Sequence, residues 1–163
     1  MVNLSKSNPT KFQLVFQKFP EESTLSGHDQ LKLNITETVL PSLTLTALEI
    51  PWRGSTVKTE NGGLEFGEWT VRFLIDNNFS NWITIYDWIV SINNGEDVFG
   101  KTDQSYSVDA NLHILDNFNN KVLDIQFWNA WPTVLSDVIL SYQNNETILM
   151  CGCTFVYDRY EKK

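Results

Sequence analysis

Asn129-Ala-Trp-Pro-Thr-Val-Leu-Ser-Asp-Val-Ile-Leu-Ser-Tyr-Gln-Asn-Asn-Glu-Thr-Ile-Leu-Met-Cys-Gly-Cys-Thr-Phe-Val-Tyr-Asp-Arg-Tyr-Glu161 is the stretch whose reading decides the fold. Within Trp131-Pro132-Thr133, proline fixes φ, removes a backbone donor and pushes the preceding residue out of the helical region, which predicts a corner. Beyond it Val138, Leu140 and Tyr142 recur at period two, and Asn144-Asn145 supplies turn chemistry. Leu149, Cys151, Cys153, Phe155 and Tyr157 then resume the alternation, so the block reads as a corner followed by an antiparallel hairpin. Local physics alone gives no more than a hairpin of an all-β domain.

Outward from this block the period-two signal continues. Phe12, Leu14 and Phe16 mark a first strand ended by Pro20. Leu31, Leu33, Ile35 and Val39 alternate with Lys32, Asn34, Thr36 and Thr38, and Leu43, Leu45 and Ala47 alternate with Thr44 and Thr46. Both patterns predict antiparallel strands covered on one face and wet on the other. Trp69, Val71, Phe73 and Ile75 give another strand, and Tyr106 to Ile114 and Leu123 to Phe127 two more around a hairpin loop at Asp116-Asn117-Phe118-Asn119-Asn120. Residues 51–67 hold four of the eight glycines and little periodicity, which predicts a long excursion; Trp52 and Arg53 there are a candidate contact point.

One helix is expected, over about 80–93, with Ser80 as N-cap and Asn93-Asn94-Gly95 as its stop. Its polar residues Ser80, Thr84, Asp87 and Ser91 fall on one narrow stripe, and Trp82, Ile83, Ile85, Tyr86, Trp88 and Ile89 fill the rest. So wide an apolar arc calls for cover by loops or by a neighbouring subunit. The expected architecture is mainly β: a single domain over 1–163, an antiparallel barrel or sandwich of about seven or eight strands with one helix, and residues 1–10 as a polar arm.

A chain of 163 residues with 42% hydrophobic residues, six Trp and ten Phe has ample material for a core. Its net charge of −8 argues against a nucleic-acid-binding surface. No run of about 18 apolar residues and no charged-then-apolar start is present, so neither a membrane anchor nor a signal peptide is expected. Cys151 and Cys153 share one strand face, and a disulfide between them would be strained; buried free thiols are the expectation. No nucleophile, phosphate-cradle or dinucleotide motif occurs, and two histidines leave little room for a triad or a zinc site. The expectation is no enzyme, no cofactor and no metal. Six tryptophans raise a rival, a carbohydrate-binding β-sandwich, although Trp69, Trp82 and Trp88 lie in apolar stripes that suit a core.

The C-terminal block also resembles the signature of tail tube proteins from contractile-tailed bacteriophages: a Trp-Pro-Thr corner (Trp131-Pro132-Thr133), an Asn-Asn-Glu turn (Asn144-Asn145-Glu146), and a close on Tyr157-Asp158 and Tyr160-Glu161. In the same order, Val39-Leu40-Pro41, Ile50-Pro51, Phe66 with Trp69-Thr70-Val71 and Asp76, and Tyr86-Asp87-Trp88 resemble further family segments, so the match spans about 11–161. Phe66-Gly67-Glu68-Trp69 departs in lacking the family's frequent paired acids, and the Glu21 to Gln30 loop is longer.

The resemblance implies a structural virion protein assembled in the host cytoplasm, whose hexameric rings stack into the inner tube of a contractile tail. Sheath and baseplate proteins are the implied partners besides the chain itself, and DNA passes through the lumen during ejection without specific binding. Asn34, Thr36, Thr38, Thr44 and Thr46 are candidates for the lumen face. Trp52, Arg53, Trp82, Tyr86, Trp88, Trp131, Pro132, Tyr157 and Tyr160 are candidates for contacts between subunits or rings. A tube-initiating baseplate subunit, or the tube protein of a type VI secretion or other contractile injection system, shares this fold and remains an alternative.

Overall fold

A computed structural model describes residues 11–17, 34–60, 62–94, 107–142 and 148–163. The expected arm at 1–10, the loops around Ser23 to Gln30 and Glu96 to Ser105, Leu31, Leu33 and the Asn144-Asn145 turn lie outside the described residues. In chain order the elements are β1 Phe12–Phe16, β2 Asn34–Thr38, β3 Leu43–Leu45, β4 Leu48–Trp52, β5 Ser55–Thr59, β6 Leu64–Phe66, β7 Trp69–Leu74, α1 Ser80–Asn94, β8 Val108–Leu115, β9 Lys121–Leu135, β10 Met150–Val156 and β11 Arg159–Lys162.

Seven strands form one antiparallel sheet in the order β1-β8-β9-β10-β7-β2, with β11 beside β9. The 15-residue β9 is the hinge of this sheet: its first half pairs with β8 and β11, its second half with β10. The two leaves so formed face one another, and the Trp69 indole of one stacks on the Phe127 ring of the other at 4.1 Å. Val71, Phe73, Cys151, Cys153 and Phe155 from one leaf meet Val108, Ala110, Leu112, Ile125 and Ala130 from the other, with Ile85 and Trp88 of α1 in the same core. Among the described residues the path ends on β1 and β2, each with one pairing partner, and the sheet folds over without closing into a barrel.

Two bulges let β9 serve both leaves. Asn129 takes φ 53, and the inward-facing set shifts there from Ile125 and Phe127 to Ala130 and Pro132. A second irregularity, where Thr154 faces Val134 but Phe155 faces Pro132, skips Thr133. A bulge bends its strand and changes which residues point inward. The Trp131-Pro132-Thr133 corner is therefore corrected to the interior of a strand. Proline is tolerated there because β8 accompanies β9 only as far as Ala130 and a bulge follows immediately.

The expected hairpin partner is corrected as well. Residues 136–142 form no strand, and β10 pairs with Trp131 to Leu135 instead of Val138 to Tyr142. Once β9 has taken that edge of β10, with Ser136 N–H donating to the Gly152 carbonyl at 2.8 Å as the last rung, the later residues have no ladder to join. By contrast, the hairpin loop at 116–120 forms where expected. The Asp116 carboxylate accepts from the Phe118 and Asn120 N–H groups at 2.7 and 2.8 Å. These bonds, that from the Asn120 backbone foremost, hold the Asp116 carboxyl below its ordinary pKa.

The helix begins at Ser80, so the cap position is Phe79, one residue before the expected cap. Ile83 N–H donates to the Phe79 carbonyl at 2.9 Å, and the Ser80 hydroxyl bonds Asp76. Asn81 is buried, and its amide donates to the Leu74 carbonyl at 2.7 Å, tying the helix to the end of β7. The polar stripe is only partly a solvent face. Thr84 is buried because its hydroxyl is satisfied inside the helix, donating to the Ser80 carbonyl at 2.8 Å, whereas Ile83, Tyr86 and Asp87 are exposed.

Cys151 and Cys153 are buried free thiols on the core side of β10, and burial pushes both above the ordinary thiol range, Cys153 the further.

Candidate functional site

Between β2 and β7 the chain leaves the sheet as one long hairpin made of β3, β4, β5 and β6. The expected core-facing strand at 43–47 and the expected irregular excursion at 51–67 are both corrected by this: they are the two arms of one regular element. At its tip Trp52 faces Ser55 across Arg53 and Gly54, whose φ values are 47 and 81. Positive φ at both central residues is the type I′ geometry that matches strand twist. Glycine takes that conformation freely, whereas Arg53 adopts it at a cost of roughly 1–2 kcal/mol.

Leu48, Ile50 and Trp52 of β4 share a face with Val57 of β5, and all four are exposed. Nearer the sheet Leu43, Leu45 and Leu64 are exposed too, Leu45 at 61%. The opposite face of the outer arm is polar, with Glu49 and Lys58 paired at 3.5 Å. The apolar residues of the hairpin thus have no core to enter within the protomer. A contiguous exposed apolar face of this kind marks an interaction surface.

Hydrogen bonds and aromatic contacts fix the root of this hairpin. Gly67 N–H donates to the Ser42 carbonyl at 2.9 Å. The Tyr157 hydroxyl donates to the Gly67 carbonyl at 2.6 Å and the Tyr160 hydroxyl to the Pro41 carbonyl at 3.1 Å. Phe66 meets both tyrosine rings edge-on, with centroids 6.2 and 5.2 Å away. Tyr157 and Tyr160 therefore hold the projecting element to the sheet.

Burial, and next the neighbouring Tyr160, pushes the Tyr157 phenol up to about 12. Its ordinary value is 10.0, so the unfolded chain releases the proton first. The stabilisation is complete below about pH 10 and is lost between there and about pH 12. Tyr157→Phe is expected to remove this part of the alkaline loss of stability, as read by denaturant midpoints across that pH range.

The remaining candidate contacts fall in different places. Trp52 and Arg53 lie together at the tip, the guanidinium 5.7 Å from the indole centroid. Trp82 is half-buried and stacks on exposed Tyr86 at 5.4 Å. Trp131 is half-buried against the core. Trp88 and Pro132 are enclosed and have no surface to present in the protomer.

The five lumen candidates fall on two elements of the protomer. Asn34 and Thr36 are exposed on β2, while Thr44 and Thr46 belong to the hairpin arm. An irregularity between Ile35 and Glu37 shifts the register at Thr36, and Thr38 turns inward to accept from the Trp69 Nε1–H at 3.0 Å.

Of the six tryptophans Trp52 alone is exposed, and Trp69 and Trp88 are in the core, which removes most of the platform a sugar-binding face would need. Among the described residues no group of three metal-type side chains comes together. No helix there is long and apolar enough to cross a membrane.

Comparison with known proteins agrees with this geometry. The phage tail tube protein family matches residues 3–163. The chain is 26% identical to the tail tube terminator protein of Enterobacteria phage T4 over 165 residues, covering 96% of this chain and 89% of that one. Its fold is similar to the tube-terminating cap of the anti-feeding prophage, with a TM-score of 0.70 and 15% identity over 100% of this chain and 94% of the other. A chain of the sheath-tube complex of the extracellular contractile injection system PVC is similar as well, with a TM-score of 0.68 and 16% identity over 99% and 93%. With an open sheet, an exposed apolar hairpin and a family match along almost its whole length, the chain belongs to the phage tail tube protein family.

Proposed function

We propose that this chain is a structural subunit of a contractile phage tail that assembles into hexameric rings and terminates the inner tube. The observation that carries an assembly role is the hairpin 43–66, whose apolar residues are exposed in the protomer and fixed to the sheet by Tyr157 and Tyr160. Among the described residues β1 and β2 each pair on one edge only, which fits the same role, since a neighbour could pair with the other edge. The choice of terminator over repeating tube subunit rests on the 26% identity to the T4 tail tube terminator along 96% of the chain. Tube, sheath and baseplate components are the partners this reading assigns, and it requires no turnover chemistry.

Adding the purified chain to growing tubes of its own phage's tube protein tests the proposal by electron microscopy. The expected result is a six-fold ring at one tube end and an arrest of elongation. Incorporation along the whole tube wall would make it a tube repeat, a reading favoured by its similarity to the chain from the PVC sheath-tube complex. A chain that neither caps nor joins tubes would overturn both.

A further inference from the structure

Between the first half of α1 and the chain leaving β9 lies an open cleft of about 490 Å³, lined by Trp82, Tyr86, Leu135, Val138 and Leu140. Leu140 is 73% exposed, and the Trp82 and Tyr86 rings stack with their planes 12° apart, so one wall is aromatic. Asp137 also lines the cleft, and its carboxylate is in no ion pair among the described residues. An apolar cleft with one unbalanced carboxylate suits an occupant that carries a large ring beside a cation.

The hairpin tip has that chemistry. Trp52 is 62% exposed and carries the Arg53 guanidinium over its ring. Arg53 too is in no ion pair among the described residues. It also occupies a left-handed position where glycine or asparagine would be less strained, and strain of that kind is retained where surroundings or function demand it. Aromatic side chains and arginine are the residue types most often responsible for binding energy at interfaces. A cleft of this volume lies within the range that holds a side chain or a small ligand.

We propose that the Trp52-Arg53 tip of one copy seats in the α1 cleft of a second copy, indole against the Trp82 and Tyr86 rings and guanidinium at Asp137. The proposal rests on the reading of the chain as a self-assembling tail tube subunit and specifies which two surfaces meet. Because tip and cleft are different patches, the contact is heterologous; repeated around an axis it closes a ring. The charge pair fixes orientation, and the apolar seat supplies the burial.

The test uses the full-length chain. With a benzophenone amino acid in place of Trp52, irradiation is expected to give a covalent dimer whose adduct maps to residues 82–86 or 135–140. In sedimentation, Arg53→Glu and Asp137→Arg are each expected to raise the concentration for half-assembly at least about tenfold, because each places like charges together. Combining the two reverses the pair and is expected to recover most of the loss, as coupled neighbours do. Unchanged thermal melts of all three variants show that the fold is intact, since both residues are exposed. If wild-type rings form but the adduct maps elsewhere, or the double variant is as impaired as the singles, this contact is overturned and the ring reading stands. A wild-type chain that remains monomeric overturns both.

Discussion

Trp69→Ala is expected to cost about 3–5 kcal/mol of folding stability, a large share of the 5–15 kcal/mol typical of a natural domain. Trp69 is fully enclosed, stacked on Phe127 across the two leaves and tilted against Phe155 at 5.1 Å. It is also paired with Phe155 along the β7-β10 ladder, so one side chain joins the strand pair to the opposite leaf. Truncation leaves a cavity that neither leaf can fill, because each is held by its own backbone ladder. Trp69→Phe keeps the stacking but leaves the Thr38 hydroxyl without the indole donor, and is expected to cost roughly 1–3 kcal/mol. Guanidinium unfolding of the two variants checks both values. A loss below 1 kcal/mol for the alanine variant would show that the leaves are not coupled through this residue.

The strands most legible in the sequence were those whose alternation coincides with burial. Trp69, Val71 and Phe73 are buried on one face of β7, as are Cys151, Cys153 and Phe155 on β10, and the Asp116 to Asn120 loop joins β8 and β9 as its turn residues indicate. The second half of β9 is not legible because two bulges break its period, and a bulge leaves no signal in a pattern of apolar and polar residues. Asn129 is the one visible trace: asparagine tolerates positive φ better than most residues, and it stands where the inward set changes.

Val138, Leu140 and Tyr142 depart from their expected strand for a different reason. Their alternation is real, but Leu140 and Tyr142 are exposed, and the strand edge they would have used belongs to β9. Apolar periodicity reports that a face is to be covered and is silent on whether the same chain covers it. The hairpin shows the same ambiguity: Leu43 and Leu45 read as residues of a covered face, and each is exposed. Trp52 and Arg53 stood out in the sequence as a contact point because they lie in a glycine-rich excursion. Tyr157 and Tyr160 stood out only through the family resemblance, and their observed task is to anchor the hairpin root. That task depends on the carbonyls of Gly67 and Pro41, 90 and 119 residues earlier in the chain, a pairing no local pattern could announce.

Gly62→Ala is expected to abolish assembly while leaving the folded sheet in place. A β-carbon at Gly62 would lie 1.7 Å from the Thr46 carbonyl oxygen and 2.3 Å from its carbon, so backbone rather than a movable side chain blocks it. The same joint carries the Thr46 N–H to Gly63 carbonyl bond of 2.9 Å, and it separates the inner arm, where Leu43 faces Phe66, from the outer arm, where Leu48 faces Thr59. Accommodating one methyl group must therefore open the joint and swing the outer arm, with the apolar face of Leu48, Ile50, Trp52 and Val57, away from its present direction. The core contains none of Leu48, Ile50, Trp52 and Val57, so the cost is expected to fall on the joint and hairpin while the sheet keeps its cooperative unfolding transition. Gly54→Ala is the matched control. Its β-carbon would meet nothing within 4 Å, and its cost is confined to φ +81 at the tip, about 1 kcal/mol or a little more. Sedimentation and electron microscopy of the two variants separate direction from composition: the hairpin keeps every apolar side chain in both. If the Gly62 variant still formed rings, the hairpin's angle to the sheet would have no part in assembly, and the interface would have to be sought on the open β1 and β2 edges.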